Sequence, residues 1–101
     1  MNSLYVEGDV NFINSVGNSK NISKITSTTT INKNCSLTLG EYIEIGSVVN
    51  NGEFIINQNG EVANSLMNYS TGQVTVNEGG KVTGLITNQG DFINQGDVQN
   101  V

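Results

Sequence analysis

Three aspartates that follow glycines are the first residues to consider for chemistry, because carboxylates bind calcium and act as general acids and bases. They are Asp9, Asp91 and Asp97. The Gly-Gly-x-Gly-x-Asp nonapeptide of calcium-binding β-rolls is absent, so we interpret these carboxylates as solvated groups on an outer face. We therefore expect no metal site and no bound cofactor.

Catalysis by an activated nucleophile needs a base, and the chain contains no histidine. Serine, threonine, aspartate and lysine are present, but neither a nucleophilic triad nor a histidine-dependent acyltransferase site can be assembled from them. The single cysteine, Cys35, has no partner for an internal disulfide, and we expect a small buried side chain there, with an intermolecular crosslink as the alternative. The composition thus predicts a protein that is not an enzyme.

The charge balance bears on partners and location. Nine acidic residues and four basic ones give a net charge of -5, which argues against nucleic acid as a partner. No run approaches the roughly 18 apolar residues of a membrane helix, and the first residues lack the features of a signal peptide. We expect no membrane insertion. An extracellular, spore-surface or virion location is favoured, with the cytoplasm as the alternative.

An asparagine closes the same short phrase five times, each time after an apolar or β-branched pair. The five positions are Asn14, Asn32, Asn57, Asn77 and Asn94. The gaps of 18, 25, 20 and 17 residues predict one repeating unit. Because asparagine tolerates corner conformations and stacked amides bond to each other, we interpret these residues as an asparagine ladder along one corner.

The elements that must carry this ladder are short strands. Apolar and polar residues alternate with the strand period of two, and glycine or asparagine interrupts each run before it reaches helical length. Each repeat supplies three strands separated by corners. This predicts an all-β, three-sided parallel β-helix (β-solenoid) of about five coils of 17–25 residues, in a single domain over 1–101. Residues 25–101 are regular and 1–24 less so.

Two apolar columns form the predicted core. Their members are Phe54, Val74, Phe92, Val62, Val82 and Val98. The long gap before Asn57 predicts a bulge or extra loop of about five residues in the segment from Gly40 to Val49, and the polar stretch from Ser15 to Lys24 predicts an excursion or surface loop.

The phrases Asn50-Asn51-Gly52-Glu53-Phe54 and Asn88-Gln89-Gly90-Asp91-Phe92, with the run from Thr30 to Leu39, resemble the parallel β-helix repeats of filamentous haemagglutinin and autotransporter-type adhesins. That resemblance implies a right-handed coil and an extracellular adhesive surface, with a receptor or glycan as partner. In size and coil count the chain is similar to bactofilins, small β-helix proteins that polymerise end to end. The bactofilin similarity implies a cytoplasmic filament.

The two ends of the predicted solenoid lead to a function. The last coil stops where its third side should begin, and residues 4–10 supply a third side at the start of the chain. We therefore expect head-to-tail self-assembly into a filament or fibre. The expected subunit interface consists of Leu4, Tyr5, Val6, Val10, Phe92, Val98 and Val101. The alternatives are a trimeric binding module of a phage tail fibre or adhesin, and a bactofilin-like cytoskeletal filament.

Overall fold

The computed structural model describes residues 3–12 and 22–100, which form strands and turns without a helix. The described strands are β1 (Ser3–Val6), β2 (Asp9–Phe12), β3 (Ser23–Ile31), β4 (Ser36–Leu39), β5 (Ile43–Asn50), β6 (Glu53–Ile56), β7 (Gly60–Asn68), β8 (Gln73–Val76), β9 (Lys81–Asn88), β10 (Asp91–Asn94) and β11 (Asp97–Asn100). They form two parallel sheets, ordered β2-β4-β6-β8-β10 and β1-β3-β5-β7-β9-β11. Neighbouring strands are one turn of chain apart, so the fold is a parallel β-solenoid of about four turns.

Each turn has three sides, because the long strands of the six-stranded sheet change register midway. The β3–β5 register shifts between Ile25 and Thr28, and the β5–β7 register shifts between Ile45 and Ser47. We call the five-stranded sheet side 1, the strand halves before these shifts side 2, and the halves after them side 3. Strand β1 belongs to side 3, since its residues pair with Thr28–Ile31. The expected all-β solenoid is thus confirmed, while the right-handed coil stays a prediction.

Asparagine and glycine occupy the corner between sides 1 and 2. Gly60 N donates to Asn57 O at 3.0 Å, and Gly80 N donates to Asn77 O at 2.9 Å, so the same tight turn recurs in successive coils. Within these turns Asn59 and Gly79 have φ values of 63° and 84°. Glycine and asparagine adopt that left-handed conformation at low cost, which accounts for their place at this corner, although Tyr42 also adopts it, with a φ of 59°, in the preceding coil.

The core is a stack of inward-facing columns. On side 1, Phe54 pairs with Val74 and Val74 with Phe92; on side 2, Val62 pairs with Val82 and Val82 with Val98. The first two members of each column have 0% exposure, whereas Phe92 and Val98 in the last turn are only partly buried. Each fully buried side chain contributes about 1.5–3 kcal/mol. The apolar columns therefore hold the coils together along the whole axis.

Of the bulge or extra loop predicted in the segment from Gly40 to Val49, the extra loop is wrong, whereas the β5–β7 register does shift within this segment, between Ile45 and Ser47. Ile43–Asn50 is strand β5, and its side chains Ile43, Ile45 and Val48 lie in the core. The long gap arose because Asn32 and Asn57 lie at different corners of the coil, so the distance between them is not one repeat. The predicted surface loop from Ser15 to Lys24 lies mostly outside the described residues, and Ser23 and Lys24 already belong to β3.

Candidate assembly interface

A buried asparagine ladder runs along side 3 at the corner that leads to side 1. Asn50, Asn68 and Asn88 are paired through β5, β7 and β9. Asn50 Nδ2 donates to Asn68 Oδ1 at 2.9 Å, and Asn68 Nδ2 donates to Asn88 Oδ1 at 2.8 Å. Asn50 and Asn68 have 0% exposure, whereas Asn88 is exposed in the last turn. The ladder therefore has a direction, with the amides of Asn50 and Asn68 both donating toward the end of the solenoid that carries β10.

The ladder also fixes the backbone of the neighbouring coil. Asn50 Nδ2 donates to Gln73 O at 3.1 Å, and Asn68 Nδ2 donates to Asp91 O at 3.0 Å. In both cases the acceptor begins the side 1 strand one turn further on. Asn50 Oδ1 accepts a bond from Gly52 N at 3.1 Å, which closes the corner locally. Each buried amide thus links its own corner to the following coil.

The asparagines predicted from the repeat phrase do not form one column. Asn57 and Asn77 do stack, with Asn77 Nδ2 donating to Asn57 Oδ1 at 2.9 Å. Asn94 pairs with Val76 rather than with Asn77, because the last phrase has one residue fewer between its glycine and its asparagine. Asn32 follows Ile31, which pairs with Asn50, so Asn32 lies at the corner between sides 3 and 1. Asn14 lies outside the described residues.

At the lower end, which we define as the end of the solenoid that carries β10 and β11, some backbone groups face away from every other described strand. Asp91 N donates to Gly72 O at 3.1 Å and Gln95 N donates to Val76 O at 2.7 Å, both in the coil above. Because backbone groups alternate between the two sides of a strand, the N–H and C=O groups of Phe92 and Asn94 face away from β8. No described strand pairs with this edge of β10.

The opposite end, the upper end, carries the complementary edge on side 1. Ser36 N donates to Gly8 O at 2.9 Å and Gly40 N donates to Phe12 O at 2.7 Å, so these carbonyls are used inside the molecule. By the same alternation, the backbone groups of Asp9 and Asn11 face outward along the axis. Among the described strands, β2 has only β4 as a neighbour.

The described residues of the expected subunit interface lie at these two ends. Leu4 and Val10 are half-buried at the upper end, and Tyr5 is 65% exposed. Val6 is already buried by its own chain, where it pairs with Ile31. Phe92 and Val98 are the partly buried last members of the core columns, and Val101 lies outside the described residues.

The aspartates considered for metal binding or acid–base chemistry do not form one site. Asp9 lies in β2 and Asp91 in β10, at opposite ends of side 1. No cluster of three or more potential metal-ligating side chains occurs within residues 3–12 and 22–100. Cys35 is half-buried in the turn before β4, and its Sγ accepts a bond from Gly8 N at 3.2 Å. A shallow groove of about 330 Å³ runs beside it, lined by polar side chains that include Glu53 and Lys33.

The described part of the chain has no helix with the length and hydropathy needed to cross a membrane. Comparisons with protein-family models, with curated proteins and with solved structures found no match.

Proposed function

We propose that this chain is a structural, non-catalytic protein that self-assembles head to tail through the two open ends of its solenoid into a homopolymeric filament. The observation that carries the proposal is the pair of complementary open edges on side 1. One edge presents the backbone groups of Phe92 and Asn94, and the other presents those of Asp9 and Asn11. Parallel pairing of β10 with β2 of the next copy would satisfy both, as pairing with β8 and β4 does inside the molecule.

The internal register defines how two copies would meet. Strands β2, β4, β6, β8 and β10 pair without a shift, residue for residue, from Asp9 to Asp91. Continuing this register places Val10 of the next copy against Phe92, and Asn11 of the next copy against Ile93. On side 2 it places Ile25 of the next copy against Val98. The apolar columns would then continue across the junction and bury the partly exposed end residues.

Charged residues on side 2 are complementary across the same junction. Lys24 begins a column that continues through Glu44, Glu61 and Lys81 to Asp97. Within the chain Lys24 Nζ lies 4.0 Å from Glu44 Oε2, and the junction would add Asp97 of the preceding copy on its other side. Exposed ion pairs of this kind contribute up to about 1 kcal/mol, so they favour the correct register more than they add affinity.

The asparagine ladder supports a head-to-tail rather than a head-to-head contact. Asn50 and Asn68 each donate to the first backbone carbonyl of the side 1 strand that lies one turn further on than the corner they occupy. The equivalent acceptor for Asn88 is the carbonyl of Asp9 in the next copy. A heterologous contact of this kind does not close on itself, so its repetition produces a filament.

The similarity to bactofilins and the resemblance to haemagglutinin-type repeats both favour stacking of coils along one axis. Bactofilins are small β-helix proteins that polymerise end to end, and haemagglutinin-type adhesins use long stacks of similar repeats. A binding module of a tail fibre or adhesin is the competing function. It would form a trimer of defined mass instead of an open-ended polymer.

A proline at the lower edge tests the proposal. Asn94 is exposed and its N–H faces away from β8, so Asn94→Pro removes a junction donor and adds a ring at the open edge without removing a bond to β8. The matched control is Asn94→Ala, which loses the same side chain and keeps the N–H. Both variants lose the bond from Gly96 N to Asn94 Oδ1.

Light scattering over a range of concentrations, with electron microscopy of the same samples, gives the readout. We expect elongated particles of growing mass for the wild type and for Asn94→Ala. For Asn94→Pro we expect the concentration at half-assembly to rise at least about tenfold, which corresponds to about 1.4 kcal/mol. A wild-type protein that keeps the mass of one chain at all concentrations would refute the proposal, and a fixed trimer would favour the binding module.

A further inference from the structure

The outer face of side 3 differs from the other two outer faces because none of its described side chains is charged. Its outward positions alternate with the buried ones along β1, β3, β5, β7 and β9. The described outward residues are Tyr5, Thr28, Thr30, Ser47, Val49, Ser65, Met67, Leu85 and Thr87. By contrast, side 1 presents Asp9, Glu53 and Asp91, and side 2 presents the column from Lys24 to Asp97. The uncharged face therefore stands out on a chain with a net charge of -5.

Two of the hydroxyl groups on this face, those of Ser47 and Ser65, already have partners within the chain. Ser65 Oγ donates to Ser47 Oγ at 3.0 Å, and Asn64 Nδ2 donates to the same oxygen at 3.2 Å. A covering surface would not need to supply partners for these two hydroxyls. Tyr5 and Leu85 are both 65% exposed, which is high for residues of their size. Between them Val49 and Met67 are only half-buried.

We propose that this face pairs two filaments side by side, with side 3 of one stack packed on side 3 of another. This inference rests on the proposed head-to-tail assembly. Two negatively charged stacks can approach without burying charge only through this face, because the outer rows of sides 1 and 2 both carry carboxylates. Sheets pack face to face about 10 Å apart, a distance that side chains such as Met67 and Val49 fill.

The area of the face explains why a second stack, and not a second single copy, is the occupant. Five strands about 4.8 Å apart and four residues long at about 3.3 Å each give a face of roughly 300 Å². Stable interfaces bury about 800 Å² on each partner. A single copy offers less than half of that area, whereas three stacked copies offer about 900 Å². Pairing is therefore expected only after stacking has begun, and it should be cooperative with filament length.

Mass per unit length measures the pairing directly. A copy of 10.8 kDa that adds five strands to side 1 extends the stack by about 24 Å, which gives roughly 0.45 kDa per Å for a single stack. We expect twice this value for wild-type filaments. Met67→Lys places a charge in the middle of the face and should halve the mass per length to that of a single stack. Val49→Lys, on the neighbouring strand, should do the same.

The matched control is Thr75→Lys, which adds the same charge at a half-buried outward position of side 1. We expect its filaments to keep the doubled value. Wild-type filaments with the mass per length of a single stack would overturn the pairing and leave the stacking intact. If the filaments of both Met67→Lys and Val49→Lys keep the doubled mass per length, the pairing is also overturned, since another face would then hold the stacks together. A wild type that forms no elongated particles would refute the stacking itself, and the pairing with it.

Discussion

Replacing Asn68 by alanine should be among the most destabilising polar substitutions in this chain. Asn68 is fully buried and makes three short side-chain bonds: it accepts from Asn50 Nδ2 at 2.9 Å and donates to Asn88 Oδ1 at 2.8 Å and Asp91 O at 3.0 Å. Each such bond contributes about 1 kcal/mol net. We therefore expect Asn68→Ala to lower the free energy of unfolding by about 3 kcal/mol.

The loss should not greatly exceed this sum, because the two asparagine partners keep other bonds. Asn50 Nδ2 still donates to Gly52 O at 3.1 Å, and Asn88 Oδ1 still accepts from Gly90 N at 3.2 Å. The matched control is Asn77→Ala at the other corner. The Asn77 side chain donates one bond, to Asn57 Oδ1, and is only half-buried. Its loss should cost about 1 kcal/mol.

Urea unfolding followed by circular dichroism measures both values. The Asn94→Pro background should be used, because assembly would add a concentration-dependent term to the apparent stability. A double-mutant cycle of Asn50→Ala and Asn68→Ala should give a coupling of about 1 kcal/mol for the shared bond. If Asn68→Ala lowers the free energy of unfolding by no more than Asn77→Ala does, the buried ladder does not stabilise the coil more than the corner that contains Asn77 does.

Three further predictions concern the core, the bend and the junction. Thr29 is fully buried and its Oγ1 has no hydrogen-bond partner among the described residues, so Thr29→Val should raise the unfolding free energy by about 1 kcal/mol in the same urea titration. Gly84 lies at the bend between sides 2 and 3, and Gly84→Ala should lower the free energy of unfolding by about 3 kcal/mol or more, because a Cβ there would overlap the backbone of Asn64. Gly46 lies at the bend between the same two sides in β5, where a Cβ would meet nothing closer than 3.7 Å. Gly46→Ala should therefore cost under about 1 kcal/mol. The junction would place Asp9 of the next copy against Asp91, so Asp91→Asn should lower the concentration at half-assembly about threefold in light scattering, with a smaller effect at high salt.

Much of the fold could be predicted because strand periodicity is a local property. The alternation in Val74-Thr75-Val76 and its neighbours specifies which side chains face inward, and the columns that contain Phe54 and Val62 follow from it. Glycine and asparagine at the corners have an equally local cause, the left-handed backbone of residues such as Asn59. These features need no knowledge of which coil lies next to which.

The position of the asparagine ladder could not be predicted in the same way. Asn57 and Asn77 follow a conspicuous apolar phrase, but that phrase marks the end of side 1, where only these two asparagines bond to each other in the described coils. The buried asparagines Asn50 and Asn68 end side 3, and corners of different length separate them from side 1. A weaker signal was present in the chain, because Asn50 and Asn88 each lie two residues before a glycine. The turn lengths that bring them into one column depend on the pairing of whole coils.

Covalent trapping of the junction tests head-to-tail stacking most directly. Asn11 and Ile93 are exposed on opposite edges of side 1, four strand spacings or roughly 19 Å apart within one chain, so they cannot form an internal disulfide. In the proposed junction they face each other at about 4.8 Å, which suits a disulfide. With Cys35 replaced by serine, we expect the Asn11→Cys, Ile93→Cys double variant to give, on oxidation, a ladder of covalent oligomers on a non-reducing gel, while each single variant gives at most dimers. A double variant that stays monomeric under the conditions in which the protein assembles would contradict the proposed junction.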